Sequence, residues 1–235
     1  MRPVRVLHLG DLHLERTTRR EAEVVAMARA LAPDLILFSG DFLSYSTVHD
    51  DVARKQVREF FSELKAPLGT YVVSGSPPVD PEPVLEQMLQ GLELEWLRDS
   101  VIRIHRDGID LQIIGMTCTH QPAVDGARLE TLVEGTASRF SILLYHSPDL
   151  APLAAPRGID LQLSGHTHGG QVRVPLFGAL YTSSLYGKQY EAGEYTIGRM
   201  RLFVTRGIGL EGRGAPRIRF WCRPEIAVWD LGPEL

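Results

Sequence analysis

Carboxylate and imidazole side chains follow several short apolar runs of this 235-residue sequence, and both groups are good ligands for divalent transition metals. Asp11 and His13 come after the first run, where a spacing of two points both side chains the same way at a strand end. The full set of candidates is Asp11, His13, Asp41, His146, His166 and His168. Because six ligands exceed the four that one tetrahedral site takes, the set predicts two metal ions. A carboxylate shared between ions about 3.5 to 4 Å apart supports in-line displacement at phosphorus.

Each of these residues has an ordinary structural explanation when it is taken alone. The Gly-Asp pair at 40–41 is typical of a turn, and a single histidine after a strand, such as His146, is more often a hydrogen-bonded structural residue. What favours a common site is repetition at the carboxyl ends of strands, where open α/β sheets place their sites. The weakest alternative is a structural protein without a metal site, because all six candidate ligands would then have these positions by accident.

The elements that must position these residues are short buried strands alternating with helices. Strands are predicted at 4–9, 35–38 and 71–73, and helices at about 19–32 and 52–64 lie between them. This alternation is typical of parallel βαβ units.

The second half of the chain has a different character. Asp107-Gly108 predicts a hairpin between strands at 101–104 and 109–114. Further strands are predicted at 141–145, 159–163, 200–205, 218–221 and 226–231. With no linker or repeat to divide the sequence, we expect residues 1–235 to form a single domain of two mixed sheets flanked by helices.

Composition excludes several classes of protein. With a net charge of −4, 44% hydrophobic and 23% charged residues, the chain is typical of a globular protein and gives no reason to expect nucleic-acid binding. No apolar run approaches the roughly 20 residues that cross a bilayer, so no integral membrane segment is expected. Cys118 and Cys222 are too far apart in the sequence for a Cys-x-x-Cys motif, and with a disulfide between them open but unsupported, a reducing cytoplasm is the default expectation.

The order of these motifs resembles that of the calcineurin-like metallophosphoesterase family, whose signature is Asp-x-His, Gly-Asp, Gly-Asn-His, His and Gly-His-x-His. The segments 161–171, 207–209 and 223–226 look like its bacterial branch of small, often membrane-associated phosphodiesterases, relatives of the UDP-2,3-diacylglucosamine hydrolases. The resemblance implies a four-layer α/β/β/α sandwich. It also implies Asp11, His13 and His168 on one metal, His146 and His166 on the other, and Asp41 bridging them.

The sequence departs from the family pattern after the third strand, where Gly75-Ser76-Pro77-Pro78 replaces Gly-Asn-His. The missing Asn would be a ligand of the second metal, and the chain contains no Asn that could replace it. Ser76, Asp80 or water are the open alternatives, and the second site is expected to be weaker. The missing His would act near the leaving-group oxygen, a role that Pro77 cannot take and for which His120 is a weak candidate.

Several other residues receive structural explanations. His8 is expected in the core, His49 at an exposed helix start and His105 on the surface beside the hairpin. The apolar segment 174–181 is interpreted as a core hairpin in preference to a site for an apolar substrate tail.

The function predicted is metal-dependent hydrolysis of a phosphodiester or pyrophosphate bond, in which hydroxide held by two ions attacks phosphorus in line. Mn, Fe and Zn all suit the imidazole and carboxylate ligands. The alternative is a degenerate family member that binds metal or a phosphorylated ligand without efficient turnover. The expected partner is a phosphorylated small molecule or a lipid-linked substrate, and the expected location is the cytoplasm, with peripheral membrane contact left open.

Overall fold

The computed structural model describes residues 3–106, 108–134, 140–212 and 217–232, which form two main β-sheets and the helices that cover them. In chain order the strands are β1 (Val4–Leu9), β2 (Leu35–Phe38), β3 (Thr70–Val72), β4 (Glu95–Trp96), β5 (Ser100–Arg106), β6 (Ile109–Gly115), β7 (Phe140–Leu144), β8 (Leu161–Ser164), β9 (Arg173–Val174), β10 (Gly178–Ala179), β11 (Gly193–Ile197), β12 (Met200–Val204) and β13 (Ala227–Leu231). The α-helices are α1 (Arg19–Leu31), α2 (Asp51–Ser62), α3 (Glu82–Leu89), α4 (Pro122–Val133) and α5 (Ala151–Ala154). Within the described ranges, none of the helices has the length and apolar character needed to span a bilayer.

The first sheet has five strands in the order β13-β1-β2-β3-β4. Strands β1 to β4 are parallel, whereas β13 pairs with β1 in the antiparallel direction, so the sheet is mixed. Both of its faces are buried, with Val6 and Leu37 on one side and Leu7 and Phe38 on the other. Burial on both faces explains why the predicted strands are almost continuously apolar.

The second sheet has six strands in the order β11-β12-β8-β7-β6-β5. Its four central strands are parallel, and the two outer strands β11 and β5 are antiparallel to their neighbours. The carboxyl ends of β7 and β8 therefore lie at the same edge of this sheet, as those of β1 and β2 do in the first sheet.

Three apolar clusters separate the layers of the molecule. Helices α1, α2 and α3 cover the outer face of the first sheet, with Phe61 of α2 in that cluster. Leu37 and Leu163 belong to the cluster between the two sheets. Helices α4 and α5 cover the second sheet through residues such as Leu129 and Ala151. The predicted four-layer α/β/β/α sandwich of two mixed sheets flanked by helices is thus confirmed.

Helix α1 shows how the local sequence fixes an element of this sandwich. Thr18 caps its first turn, accepting from Arg20 N at 3.2 Å, while Thr18 N donates to the Glu21 carboxylate at 2.7 Å. This reciprocal capping box satisfies amide groups that the first turn leaves unpaired. The helix ends at Leu31, one residue before the predicted end, and its C-cap residue Ala32 has a φ of 45° directly before Pro33.

The structure also differs from the predicted elements. Helices α3 and α4 were missing from the prediction, and the predicted strand at 218–221 is wrong. In that segment the Arg219 guanidinium turns inward and donates to the carbonyl oxygens of Arg206 and Gly209 at 2.7 and 2.6 Å. An inward arginine between exposed apolar neighbours inverts the pattern of a buried strand. Of the predicted turn, Asp107 lies outside the described residues.

Candidate metal centre

The candidate ligands lie in loops that directly follow four parallel strands. Asp11 and Asp41 follow β1 and β2 of the first sheet, and His146 and His166 follow β7 and β8 of the second. Hydrogen bonds join the loops within and between the sheets, since His13 N donates to Asp41 O at 3.0 Å and His166 N donates to Asp11 Oδ1 at 2.9 Å. The strand ends of both sheets therefore meet at one place.

The first group of side chains contains Asp11, His13, Asp41 and His168, whose candidate ligand atoms all lie within 4.8 Å of one another. The Nε2 atom of His13 is 3.2 Å from Asp41 Oδ2 and 2.9 Å from His168 Nε2. All four side chains are buried. Two carboxylates and two imidazoles form a four-donor set that suits a divalent transition metal.

The second group shares Asp41 with the first and adds His146 and His166. The Nε2 atom of His146 is 3.3 Å from Asp41 Oδ2, while its Nδ1 atom donates to Ser39 O at 2.8 Å. Because a carbonyl oxygen only accepts, Nδ1 carries a proton, and a metal ion on this histidine would bind at Nε2, the nitrogen that faces Asp41. His166 Nε2 donates to Ser183 O at 3.3 Å, which leaves the His166 Nδ1 lone pair for a ligand.

Most residues of the two groups have left-handed backbone conformations, which residues other than glycine adopt infrequently. The φ angles are 50° at Asp11, 41° at His13, 60° at Asp41, 73° at His166 and 52° at His168. Strain of this kind costs about 1–3 kcal/mol per residue and clusters at functional sites. The strained backbone therefore coincides with the residues that the motifs select.

The polar atoms of the first group fit a divalent cation. Asp11 Oδ2 is buried and, within the described residues, has no hydrogen-bond partner. A buried carboxylate oxygen is costly to leave without a partner, and a cation beside it removes that cost. The close approach of the His13 and His168 Nε2 atoms, at 2.9 Å, directs two imidazole nitrogens to the same region.

The pKa values in the two groups separate side chains that already have their metal-binding form from side chains that must first lose a proton. Burial alone would raise the pKa of Asp41, but His146 and His13 outweigh it and hold that pKa well below its usual range. Desolvation lowers the pKa of His166 to about 3, and burial together with His13 keeps the pKa of His168 well below its usual value. Burial alone would lower the pKa of His146 and His13, but Asp41 outweighs it, raising the pKa of His146 to about 9 and that of His13 above its usual value. A metal ion would therefore displace protons from these two imidazoles, whereas Asp41, His166 and His168 already have the forms that bind metal ions.

Glu211 supports the first group, although the sequence gives no local signal for it. Its Oε2 atom is 3.5 Å from His13 Nδ1, the nitrogen that points away from Asp41. Gln171 anchors the loop, accepting from Glu211 N at 2.8 Å and donating to Glu211 O at 3.0 Å. A carboxylate on the distal nitrogen of a ligand histidine fixes the orientation of the ring and raises its basicity.

The loop after β3, which carries the departure from the family pattern, places a hydroxyl group beside the second group. Ser76 Oγ is 3.3 Å from His146 Nε2, and Ser76 N donates to Asp41 Oδ1 at 2.6 Å. Gly75 permits this close approach, since a Cβ atom there would lie 2.0 Å from Asp41 Oδ1.

Asp80, the other protein candidate for the missing ligand, has a different role. One of its oxygens accepts from Asp41 N at 2.7 Å and Gly75 N at 2.8 Å, and the other accepts from Phe42 N at 3.0 Å. The carboxylate therefore binds the backbone of the loops after β2 and β3 together. Asp80 thereby holds the backbone of Asp41 in position.

His120, the weak candidate for the role of the missing His, lies beside the second group. Its Nε2 atom is 3.2 Å from Ser76 Oγ, and its ring centroid is 4.5 Å from that of His166. The side chain is half-buried, and its φ of 58° matches the strained backbone of the candidate ligands. His120 therefore lies beside the second group at a partly exposed position.

The remaining predicted histidines lie outside the site. His8 is buried in β1 with Nε2 3.1 Å from Ser39 Oγ, as expected of a core residue. His49 is exposed just before α2, and His105 is exposed and pairs with Asp110 across β5 and β6 at 3.0 Å. These positions agree with the predictions.

The interpretation of 174–181 as a core hairpin is wrong. Strands β9 and β10 do form a hairpin, but Leu176, Phe177, Leu180 and Tyr181 are exposed. A hairpin with two residues in each strand is too short to build a layer of its own, and only inner residues such as Ala179 are buried.

Comparisons with known proteins agree with this geometry. A family model described as calcineurin-like phosphoesterase matches residues 4–76. The metallophosphoesterase YkuE of Bacillus subtilis (strain 168) is 30% identical over 97% of this chain and 78% of its own length. Phosphodiesterase YaeI of Escherichia coli (strain K12) is 29% identical over 97% and 82%, respectively. UDP-2,3-diacylglucosamine pyrophosphatase LpxG of Chlamydia muridarum (strain MoPn / Nigg) is 24% identical over 96% and 82%.

Solved structures share the architecture at much lower sequence identity. The protein TT1561 of Thermus thermophilus has a TM-score of 0.58 at 13% identity and covers 97% of this chain and 99% of its own. At that identity the similarity shows a common fold.

Proposed function

Since the chain belongs to the calcineurin-like metallophosphoesterase family, we propose that it hydrolyses a phosphodiester or pyrophosphate bond with the help of two divalent cations. The observation that carries the proposal is the position of Asp41, which belongs to both groups of candidate ligands. A shared carboxylate between two sets of imidazoles is the arrangement that two-metal hydrolysis requires. The proposal includes that residues 1–235 form one catalytic domain.

The residues that would hold the ions divide between the two groups. Asp11, His13 and His168 would hold the first ion, His146 and His166 would hold the second, and Asp41 would serve both, with Mn, Fe or Zn as the metal. When bound, the ions supply Lewis-acid activation of water and neutralise charge that develops on the phosphoryl oxygens.

The protein's own part in the reaction is to orient these donor atoms and to keep the Asp41 carboxylate ionised. Asp80 and the Ser76 amide fix both sides of the Asp41 loop, so the shared carboxylate cannot turn away. Ser39 O holds His146 with its Nε2 atom toward the site, and Glu211 lies behind His13. Pre-set donors reduce the reorganisation that the reaction needs.

Substrate preference follows from the residue that the chain lacks. General acid catalysis contributes about 10² to 10⁴-fold and matters most when the departing oxygen is strongly basic. Pro77 has no proton to donate, so substrates with weakly basic leaving groups are favoured: pyrophosphates and activated diesters over alkyl monoesters. The names of YaeI, a phosphodiesterase, and LpxG, a pyrophosphatase with a lipid-linked substrate, support this class.

The test is the dependence of the rate of chemistry on leaving-group pKa, measured with Mn²⁺ across aryl and alkyl phosphodiesters. A steep negative slope is expected for the unassisted departure of the leaving group. A flat slope in the wild type that becomes steep in His120→Ala would identify His120 as the proton donor, and the proposal for this loop would be wrong. The His105→Ala variant is the matched control, because His105 is exposed and distant from the site.

A second candidate function is metal or phosphoester binding without efficient turnover, and the Ser76-Pro77 sequence is the observation that favours it. Metal titration together with an assay on bis(p-nitrophenyl) phosphate separates the two candidates. Two bound ions with turnover support the hydrolase. One bound ion without turnover supports the binding protein.

A further inference from the structure

Exposed apolar side chains are concentrated in two segments of the described chain, 174–186 and 218–222, which we call the apolar rim. Leu176, Phe177 and Tyr181 have exposed fractions of 110%, 59% and 73%, and Phe220 and Trp221 have 52% and 70%. Large exposed apolar clusters on a soluble domain mark surfaces that bind a partner or a membrane.

The two segments of the apolar rim form one surface beside the metal centre. Arg173 N donates to Phe220 O at 2.9 Å, which joins the hairpin of β9 and β10 to the second segment. At its other end the hairpin segment reaches the site, where Ser183 O accepts from His166 Nε2 at 3.3 Å. The second segment reaches it as well, because Cys222 Sγ donates to His168 O at 3.1 Å.

Two residues of the rim hold strained backbone conformations at exposed positions. Leu176 has a φ of 65° directly after Pro175, and Trp221 has a φ of 53°. Bulky residues rarely adopt this left-handed conformation. Both side chains are exposed, so burial within this chain does not offset the strain, whereas burial against a covering surface would.

The charge of these segments identifies what covers them. Residues 172–190 and 217–223 contain five basic residues and no Asp or Glu, although the whole chain has a net charge of −4. Arg173 and Arg217 pair with acidic residues, and Arg219 is directed inward, but Lys188 and Arg223 are exposed. The acids that bond to the hairpin segment, Asp149 and Glu191, are buried or nearly buried, so the exposed charges are cations. Exposed leucine and aromatic side chains with such cations complement an anionic lipid surface.

We propose that the apolar rim docks the protein on an anionic lipid bilayer, with Leu176 and Trp221 inserted at the headgroup boundary. Lys188 lies 3.6 Å from the centre of the Phe177 ring, so one cation accompanies the inserted hairpin. Because His166 and His168 contact the rim, docking turns the opening of the metal centre toward the membrane. The proposal does not depend on the hydrolysis proposed above.

Vesicle binding of the full chain tests this proposal without any substrate. Extruded vesicles of phosphatidylcholine alone and of equal parts phosphatidylcholine and phosphatidylglycerol are sedimented with the wild type and with a Leu176→Ser, Phe177→Ser, Trp221→Ser variant. We expect wild-type binding to the anionic vesicles, weakened by added salt, and a loss on the order of 100-fold in the variant.

The matched control replaces three exposed apolar residues on the helical layers, in the variant Met27→Ser, Val52→Ser, Val124→Ser, and should bind as the wild type does. The circular dichroism spectrum shows whether the rim variant is folded. Absence of wild-type binding, or equal loss in both variants, would overturn the proposal. So would a wild-type dimer that the rim substitutions dissociate, because a second copy would then cover the rim.

Discussion

The two groups of the candidate metal centre share Asp41 but differ in number of donors and in enclosure. The first group adds a second carboxylate and two imidazoles, and all of its side chains are buried. The second group adds two imidazoles, of which His166 is only partly buried, and Ser76 and His120 lie beside it. A closed four-donor set retains its ion, whereas an open three-donor set leaves positions for water and substrate oxygen.

The same difference extends to the residues behind the ligands. In the first group Glu211 lies behind His13, and the loop that carries it is anchored by Gln171. In the second group a backbone oxygen, Ser39 O, holds His146. Because such supporting contacts are typically worth about 10- to 100-fold in metal affinity, the two sites should respond to different substitutions.

Asp41→Ala should have the largest effect, because it removes a donor from both groups at once. We expect loss of both ions and a fall in phosphodiesterase activity of at least about 10³-fold, equivalent to several kcal/mol of transition-state stabilisation. Metal content measured by mass spectrometry after gel filtration, together with the rate on bis(p-nitrophenyl) phosphate, checks both expectations. The exposed His49→Ala is the control, and equal damage in that variant would contradict the assignment of the cluster.

Ser76→Asn should reduce the difference between the sites by restoring an amide oxygen beside His146. We expect the second ion to bind about 10- to 100-fold more tightly, with little change at the first. Calorimetric titration of metal-free protein with Mn²⁺ measures both steps. In Ser76→Ala the second step should weaken slightly, because a hydroxyl is a poor ligand compared with an amide oxygen. An unchanged second step in Ser76→Asn would mean that the loop does not face the second ion.

Glu211→Gln should have a smaller effect, restricted to the first site. Removing the negative charge behind His13 should weaken the first ion by about 10-fold, the lower end of the range for supporting residues. Competition with a fluorescent chelator gives the affinity, and Glu63→Gln on the surface beside α2 is the control. Weakening of the second ion alone would contradict the role of Glu211.

The sequence predicted the parts of this centre that depend on where strands end. Asp11, Asp41 and His146 each follow an apolar run, and parallel strands bring such ends together whatever their separation in the chain. The roles of Glu211 and Asp80 could not be predicted, because each acts through a loop-to-loop contact that no local spacing encodes.

The two errors in the apolar segments have a common physical cause. Both 174–181 and 218–221 are rich in apolar residues, and the sequence alone does not tell whether their side chains face a core or the solvent. Arg219 directs its guanidinium inward, and strands β9 and β10 have only two residues each. These two features leave the neighbouring apolar side chains exposed, and both depend on tertiary contacts.

The central claim, that two unequal metal sites share Asp41, is tested most directly by anomalous scattering from crystals grown with limiting and with excess Mn²⁺. At limiting metal we predict one peak, enclosed by Asp11, His13 and His168. With excess metal a second peak should appear between His146 and His166, and both should lie within ligand distance of Asp41. Two peaks of equal height at limiting metal, or a single peak that fills at His146 and His166 first, would contradict the claim.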